Sequence, residues 1–278
     1  MEQLGMVGVG AMGSSLLGRL RLGGLSVAVF DCDPAAQEKA ISMGAKGASS
    51  AAAVADASSI IDVVVRTNEE MFDCMLGEKG VLEGAGKGTL VLLHSTILPT
   101  TTKKIAEEAQ KKGVDVIDAC MVGVPRVVQK GEVNFLVGGP VELVERARPH
   151  LLKMGKAVIH MGPLGAGNAA KLIKNLVTGS ETLILHEAIK IGEACGIKYC
   201  DALKMMKQVS SPDNLIDHWE ERFDPSGADS TPKVGVNLYD KDLPLAGQVG
   251  REYGVDIPIT EQLVAAGLRL MAGRSKAS

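Results

Sequence analysis

Asn168, Lys171, Asn175, Thr178 and Thr182 recur at spacings of three, four, three and four residues, which lays them along one face of a helix. Their neighbours Leu172, Ile173, Leu176, Val177, Leu183 and Leu185 are apolar, so the pattern predicts a partly buried helix whose polar stripe looks into a cleft. Lys171 is the candidate acid/base of the stripe. A lysine exchanges protons at neutral pH when burial and nearby positive charge, from a second lysine or a cationic cofactor ring, lower its pKa. Spacing alone is equally compatible with a solvated face.

A second constellation opens the chain. Gly8-Val9-Gly10-Ala11-Met12-Gly13 follows the short apolar run 4–7 and precedes a Leu-rich stretch, which reads as strand, glycine turn and helix. Such a turn holds the diphosphate of a dinucleotide. Gly8 permits the tight turn, Gly10 lets the backbone approach the diphosphate, Gly13 lets the helix pack close to the strand, and the helix start supplies N–H groups and positive potential. Ala11 and Met12 complete the expected contact segment, and Ser14 and Ser15 either assist the phosphates or cap N–H groups. The next apolar run, 26–30, ends in Asp31, eighteen residues past Gly13, where a carboxylate meets an adenosine ribose. A carboxylate pairs with two ribose hydroxyls and repels a 2′-phosphate, so the expected cofactor is NAD rather than NADP.

The elements that must position these residues follow from the pattern of apolar runs. Strand candidates at 4–7, 26–30, 59–65, 89–93, 114–117 and 133–137 alternate with helix-like stretches at 34–43, 69–76 and 100–112. After Gly138-Gly139-Pro140 come a helix at 141–152 and a last strand at 157–160. From Pro163 onward the β signals disappear. A proline-free run of about thirty residues, 166–195, closes at Gly196 and as a helix is roughly 45 Å long. The remainder is helical in composition with breaks at 210–213, 224–232 and 254–258. The expected fold is α/β: a doubly wound Rossmann sheet over 1–162, then an all-helical domain over 163–278, joined by the long helix.

Composition narrows the classes of function. The chain has 278 residues, 46% hydrophobic and 23% charged, with no run of eighteen apolar residues to span a membrane. Its net charge of −3 and lack of a Lys/Arg-rich block argue against a nucleic-acid surface. Met1-Glu2-Gln3 leads directly into the first strand, and five cysteines without a C-x-x-C pair fit free thiols, so the expected compartment is the cytoplasm. His94, His160, His186 and His218 show no metal-ligand spacing, and no metal is expected. Trp219, with His218 and Phe223, is expected in a core or a subunit interface.

The segment 165–175, Gly-Ala-Gly-Asn-Ala-Ala-Lys-Leu-Ile-Lys-Asn, resembles the catalytic helix of the β-hydroxyacid dehydrogenases, the family of the 3-hydroxyisobutyrate, tartronate semialdehyde and 6-phosphogluconate enzymes. The resemblance covers nearly the whole chain: G-x-G-x-M-G at 8–13, His94-Ser95-Thr96 with Pro99 where the family has S-T-x-x-P, and Lys241-Asp242-Leu243 where it has K-D-L. It implies hydride transfer between a small hydroxy acid, or related polar alcohol, and a nicotinamide. By resemblance Lys171 is the general acid/base, Asn175 orients the reacting hydroxyl, Ser95 and Thr96 lie near the nicotinamide, and Lys241 lies near nicotinamide and substrate. The family's NADP users resemble Asn-Arg-Thr/Ser where this chain has Asp31-Cys32-Asp33. The resemblance also implies a homodimer or homotetramer built on the helical domain.

Two stretches depart from the family. Where it resembles D-A-P-V-S-G-G, this chain reads Asp118-Ala119-Cys120-Met121-Val122-Gly123-Val124. Val122 replaces a serine that would bind a substrate carboxylate, and Val124 replaces a glycine. A valine cannot donate a hydrogen bond, so either Arg126 holds the anionic group as a bidentate partner or the substrate end is apolar. Arg66-Thr67-Asn68 stands where the family often has Leu-Pro and marks an altered cofactor-facing rim, with Thr67 and Asn68 as expected cofactor contacts. Two other readings stay open. Imine reductases share the architecture but carry Asp or Tyr in place of Lys171, and a non-catalytic dinucleotide sensor or scaffold would not need the missing serine.

Overall fold

A computed structural model of the chain describes residues 3–209 and 238–272. The strands are β1 Leu4–Val7, β2 Val27–Phe30, β3 Lys46–Gly47, β4 Ile60–Val63, β5 Leu90–Leu93, β6 Asp115–Val122, β7 Asn134–Gly138 and β8 Ala157–Gly162. They form one sheet in the order β3-β2-β1-β4-β5-β6-β7-β8. Every pairing is parallel except β6 with β7, which is antiparallel. The sheet is therefore mostly rather than wholly parallel, and β6 runs five residues beyond the expected 117 because β7 pairs along Asp118–Val122. The two-residue β3 is too short to leave a periodic signal.

Helices α1 Ala11–Leu22, α2 Pro34–Ser42, α3 Ala51–Asp56, α4 Asn68–Leu76, α5 Val81–Gly84, α6 Pro99–Lys111, α7 Pro125–Gln129 and α8 Val141–Met154 connect the strands. The pleat sends alternate residues to opposite faces. Leu90 and Leu92 join Leu16, Leu17 and Leu20 of α1 and Val144 and Leu151 of α8 in one core. Val91 and Leu93 join Met71 and Met75 of α4 and Ile105 of α6 in the other. Burial on both faces is why these strands read as unbroken apolar runs.

β1 lies between β2 and β4, so the winding direction reverses there, and ligands of open α/β sheets bind in the crevice at such a reversal. The glycine turn leaves the carboxyl end of β1. Gly8 N donates to Phe30 O at 2.9 Å and Val64 N to Val7 O at 2.8 Å, which ties the turn to both neighbouring strands.

The long helix α9 runs Ala166–Ala194, and the chain divides into two compact units between Asn175 and Leu176. The first turns of α9 thus belong with the sheet. The second unit contains the rest of α9, α10 Tyr199–Val209, a π-helical turn at Leu238–Asp242, α11 Leu243–Glu252 and α12 Pro258–Ala272. Within it the Glu187 carboxylate caps α12, accepting from Ile259 N and Thr260 N at 2.7 Å each and from Thr260 Oγ1 at 2.7 Å. Trp219 and the breaks at 210–213 and 224–232 lie outside the described residues. The described residues contain no helix long and apolar enough to cross a membrane and no cluster of three or more His, Cys, Asp or Glu that could hold a metal.

Candidate active site

The three glycines of the turn differ in what surrounds them. Gly8 has φ +87°, and a Cβ there would sit 2.2 Å from Val64 O. A Cβ on Gly13 would lie 2.1 Å from the Gly8 carbonyl oxygen, so α1 reaches this closeness to β1 only with glycine. A Cβ on Gly10 would meet nothing within 4 Å, because the space in front of it is open. Gly10 is also the N-cap of α1, with no side-chain hydrogen bond to the cap, so the first amides face that space with their partial positive charge. Asp31 braces the turn: its Oδ2 accepts from Val9 N at 2.7 Å and its Oδ1 from Asp33 N at 2.9 Å.

Two cavities flank Gly10. One, of about 550 Å³, extends from Met12 past Ser95, Thr96 and Gly123 to Lys171 and Asn175. The other, of about 640 Å³, runs out along Asp31, Cys32, Asp33, Glu70 and Asp73. Glycine turn, open Gly10, helix start and the Asp31 carboxylate of the second cavity are of the chemistry that would hold a dinucleotide.

Lys171 reaches this site because the start of α9 is anchored from below. Asp118, near the middle of β6, accepts from Gly165 N through Oδ1 and from Asn168 N through Oδ2, both at 2.7 Å. Burial raises the Asp118 pKa against these hydrogen bonds. Asn168 is fully buried and knits three segments: Nδ2 donates to Ser95 O at 2.9 Å and to Cys120 Sγ at 3.0 Å, and Oδ1 accepts from Thr102 Oγ1 at 2.6 Å. One turn on, Lys171 is half-buried, and burial, then the Lys174 charge, lower its pKa. Burial, then the Asp118 charge, push the Cys120 thiol up to about 12, which keeps it a neutral donor to Ser95 O at 3.3 Å.

The predicted stripe therefore divides. Asn168 is a structural anchor, Lys171 and Asn175 line the cavity, Thr178 falls in the second unit, and the Thr182 side chain lies outside the described set. The pattern predicts a partly buried helix, and several apolar neighbours of the stripe are exposed: Ile173 by 65% and Leu176 by 70%. Helical periodicity reports a face but not what covers it.

Other predicted residues fall in several places. Ala11, Met12, Ser95, Thr96 and Gly123 line the first cavity. Ser95 Oγ donates to Val65 O at 2.6 Å and accepts from Val65 N at 3.2 Å, clasping the ends of β4 and β5. Thr67 and Asn68 line neither cavity and are engaged in local structure. Thr67 Oγ1 caps α4 by accepting from Glu70 N at 3.1 Å, while Asn68 Oδ1 accepts from Leu98 N at 3.0 Å and Thr101 Oγ1 at 2.8 Å at the start of α6. Val122, Val124 and Arg126 also lie off the cavity lining, with Val124 and Arg126 exposed at α7. Lys241 belongs to the second unit, its Nζ 3.4 Å from Asp242 Oδ1.

Sequence reasoning missed Asp62. It is fully buried on β4, and its Oδ1 and Oδ2 each take a 2.8 Å hydrogen bond, from His94 Nε2 and His150 Nε2. Burial alone would raise its pKa, but the two imidazoles outweigh that and hold it well below the carboxylate range. The available signal was an acid inside the apolar run Ile60-Ile61-Asp62-Val63.

The sheet order, the glycine turn at its reversal point and the lysine-bearing helix define an oxidoreductase built around a nicotinamide dinucleotide. The chain belongs to the β-hydroxyacid dehydrogenase family: residues 3–162 match the NAD binding domain of 6-phosphogluconate dehydrogenase, and 165–276 match the NAD-binding domain of NADP-dependent 3-hydroxyisobutyrate dehydrogenase. It is 31% identical to the 2-(hydroxymethyl)glutarate dehydrogenase of Eubacterium barkeri over 99% of this chain and 92% of that one. It is 32% identical to a 3-hydroxyisobutyrate dehydrogenase of Pseudomonas aeruginosa over 88% of this chain and 84% of that one. Among solved structures, an imine reductase of Streptomyces aurantiacus shares the fold, with a TM-score of 0.84 at 17% identity over 96% of this chain and 94% of that one.

Proposed function

We propose that the protein is an NAD-dependent dehydrogenase that reversibly oxidises a small hydroxy acid or related polar alcohol, with Lys171 as general acid/base. The observation that carries this reading is that Lys171, its pKa lowered chiefly by burial, lines the same cavity as the glycine turn and Asn175. A bound NAD supplies the hydride acceptor. Lys171 Nζ takes the hydroxyl proton during oxidation and returns it during reduction, and the Asn175 amide orients the hydroxyl. Ser95 and Gly123 shape the nicotinamide side of the pocket. The preference for NAD is supported by the acids of the adenosine-side cavity, Asp31, Asp33, Glu70, Asp73 and Glu78 against Arg66 and Lys79, a balance that repels a 2′-phosphate.

Arg126 is exposed and off the cavity lining, so the reading gives it no part in holding the substrate. The exposed apolar side chains Ile173, Leu176 and Leu183 support a homodimer or homotetramer, which size-exclusion chromatography with light scattering tests. The catalytic assignment is tested with Lys171→Met. NADH binding should persist while turnover of a panel of hydroxy acids, followed by NADH absorbance, falls by about 10²–10⁴-fold. Full turnover in the variant would remove Lys171 from its role.

A further inference from the structure

We propose that the Arg66 side chain binds the diphosphate of the dinucleotide, adding a cation to a subsite otherwise served by backbone amides. The proposal rests on the dinucleotide reading given above. The two cavities share only Gly10, Val64, Val65 and Arg66, and Arg66 is the one charged residue common to both. A dinucleotide crosses from its adenosine half to its nicotinamide half at the diphosphate, and in this fold that crossing faces Gly10. An anionic substrate beside Lys171 would occupy the first cavity alone, so a cation bordering both cavities is placed for the crossing.

The local structure leaves the guanidinium available. Arg66 N donates to Glu70 Oε2 at 2.7 Å, and the next residue, Thr67, is the N-cap of α4, so the Arg66 backbone is pinned at the start of a helix. Of the acids lining the second cavity, Asp31 accepts from Val9 N and Asp33 N, Asp33 from Ala35 N, and Glu70 from Arg66's own N. The side chain is exposed and forms no ion pair with an acid among the described residues. A guanidinium offers two parallel N–H donors to phosphate oxygens, a charge-assisted pairing that glycine-turn amides cannot supply.

The test is NADH binding to the full-length protein, followed by NADH fluorescence, with ADP and adenosine as competitors. Arg66→Gln should weaken NADH and ADP by about tenfold, leave adenosine unchanged and flatten the salt dependence of NADH binding, while Arg66→Lys recovers part of the loss. The unfolding midpoint should not move, because the side chain is exposed. NADH and ADP affinities within twofold of wild type would overturn the proposal, and a rise confined to the hydroxy-acid KM would reassign Arg66 to the substrate. If the wild-type protein binds no NADH, the dinucleotide reading itself falls and this one with it.

Discussion

Asp62 and His94 meet 2.8 Å apart on the α1/α8 side of the sheet, with no solvent access to either side chain. His94 Nδ1 also faces Ala119 O at 2.7 Å, so both ring nitrogens sit against acceptors on neighbouring strands. His150 completes Asp62 through Nε2, and its buried Nδ1 has no partner among the described residues. The pair ties β4 to the end of β5, and His94 reaches β6 at Ala119.

Breaking this pair on one side should be expensive. Asp62→Asn replaces the buried acceptor of two histidines with an amide that turns an N–H towards one of them, and should cost about 1–3 kcal/mol in urea unfolding. Replacing Asp62, His94 and His150 together with apolar residues should cost less than the single change, and a larger loss in the triple variant would contradict the account of unmet polar groups.

The same site sets an acid limit. Asp62 titrates lower in the fold than in the unfolded chain, so its stabilisation is complete above about pH 4 and drains away as pH falls towards its folded value. Asp118 has the opposite sign, because burial raises its pKa and its contribution is lost as pH rises through the folded value. Urea midpoints measured down the acid range should therefore fall in the wild type and fall less steeply in Asp62→Asn.

Asp118 also controls Lys171 at a distance. Asp118→Asn turns one acceptor towards a backbone N–H as a donor, leaving Gly165 N or Asn168 N unmet at a cost of about 1–3 kcal/mol. The first turn of α9 then shifts, so kcat should drop several-fold while NADH affinity, read by fluorescence, holds.

Proton transfer by Lys171 predicts a pH profile with a movable limb. In the oxidation direction kcat/KM should rise with pH as Lys171 loses its proton, below the range of an ordinary lysine. Lys174→Met removes a neighbouring positive charge and should move that limb to higher pH. An unchanged limb would mean that another group titrates.

The glycines of the turn should separate folding from binding. Gly10→Ala adds a methyl to open space and should keep the melting temperature while weakening NADH, whereas Gly13→Ala meets the Gly8 carbonyl and should lower both. Thermal melts and NADH titrations on the two variants decide this.

The chain's local pattern was enough to read most of the fold. β1 falls at the expected residues, and α9 within one residue of its expected end, because apolar periodicity and glycine or proline boundaries act within a few residues. The turn at 8–13 and Asp31 were legible for the same reason, since both sit at strand ends. What the sequence could not decide was which side chains share a space. Asp62 pairs with residues 32 and 88 positions away, and that meeting depends on strand order and register. Thr67 and Asn68 became caps rather than cavity residues, Arg126 stayed outside while Arg66 came to border both cavities, and Asn168 separated from Lys171 on one helix face. Hydrogen-bond competition and packing between distant segments settle such choices, and they exist only once the sheet has assembled.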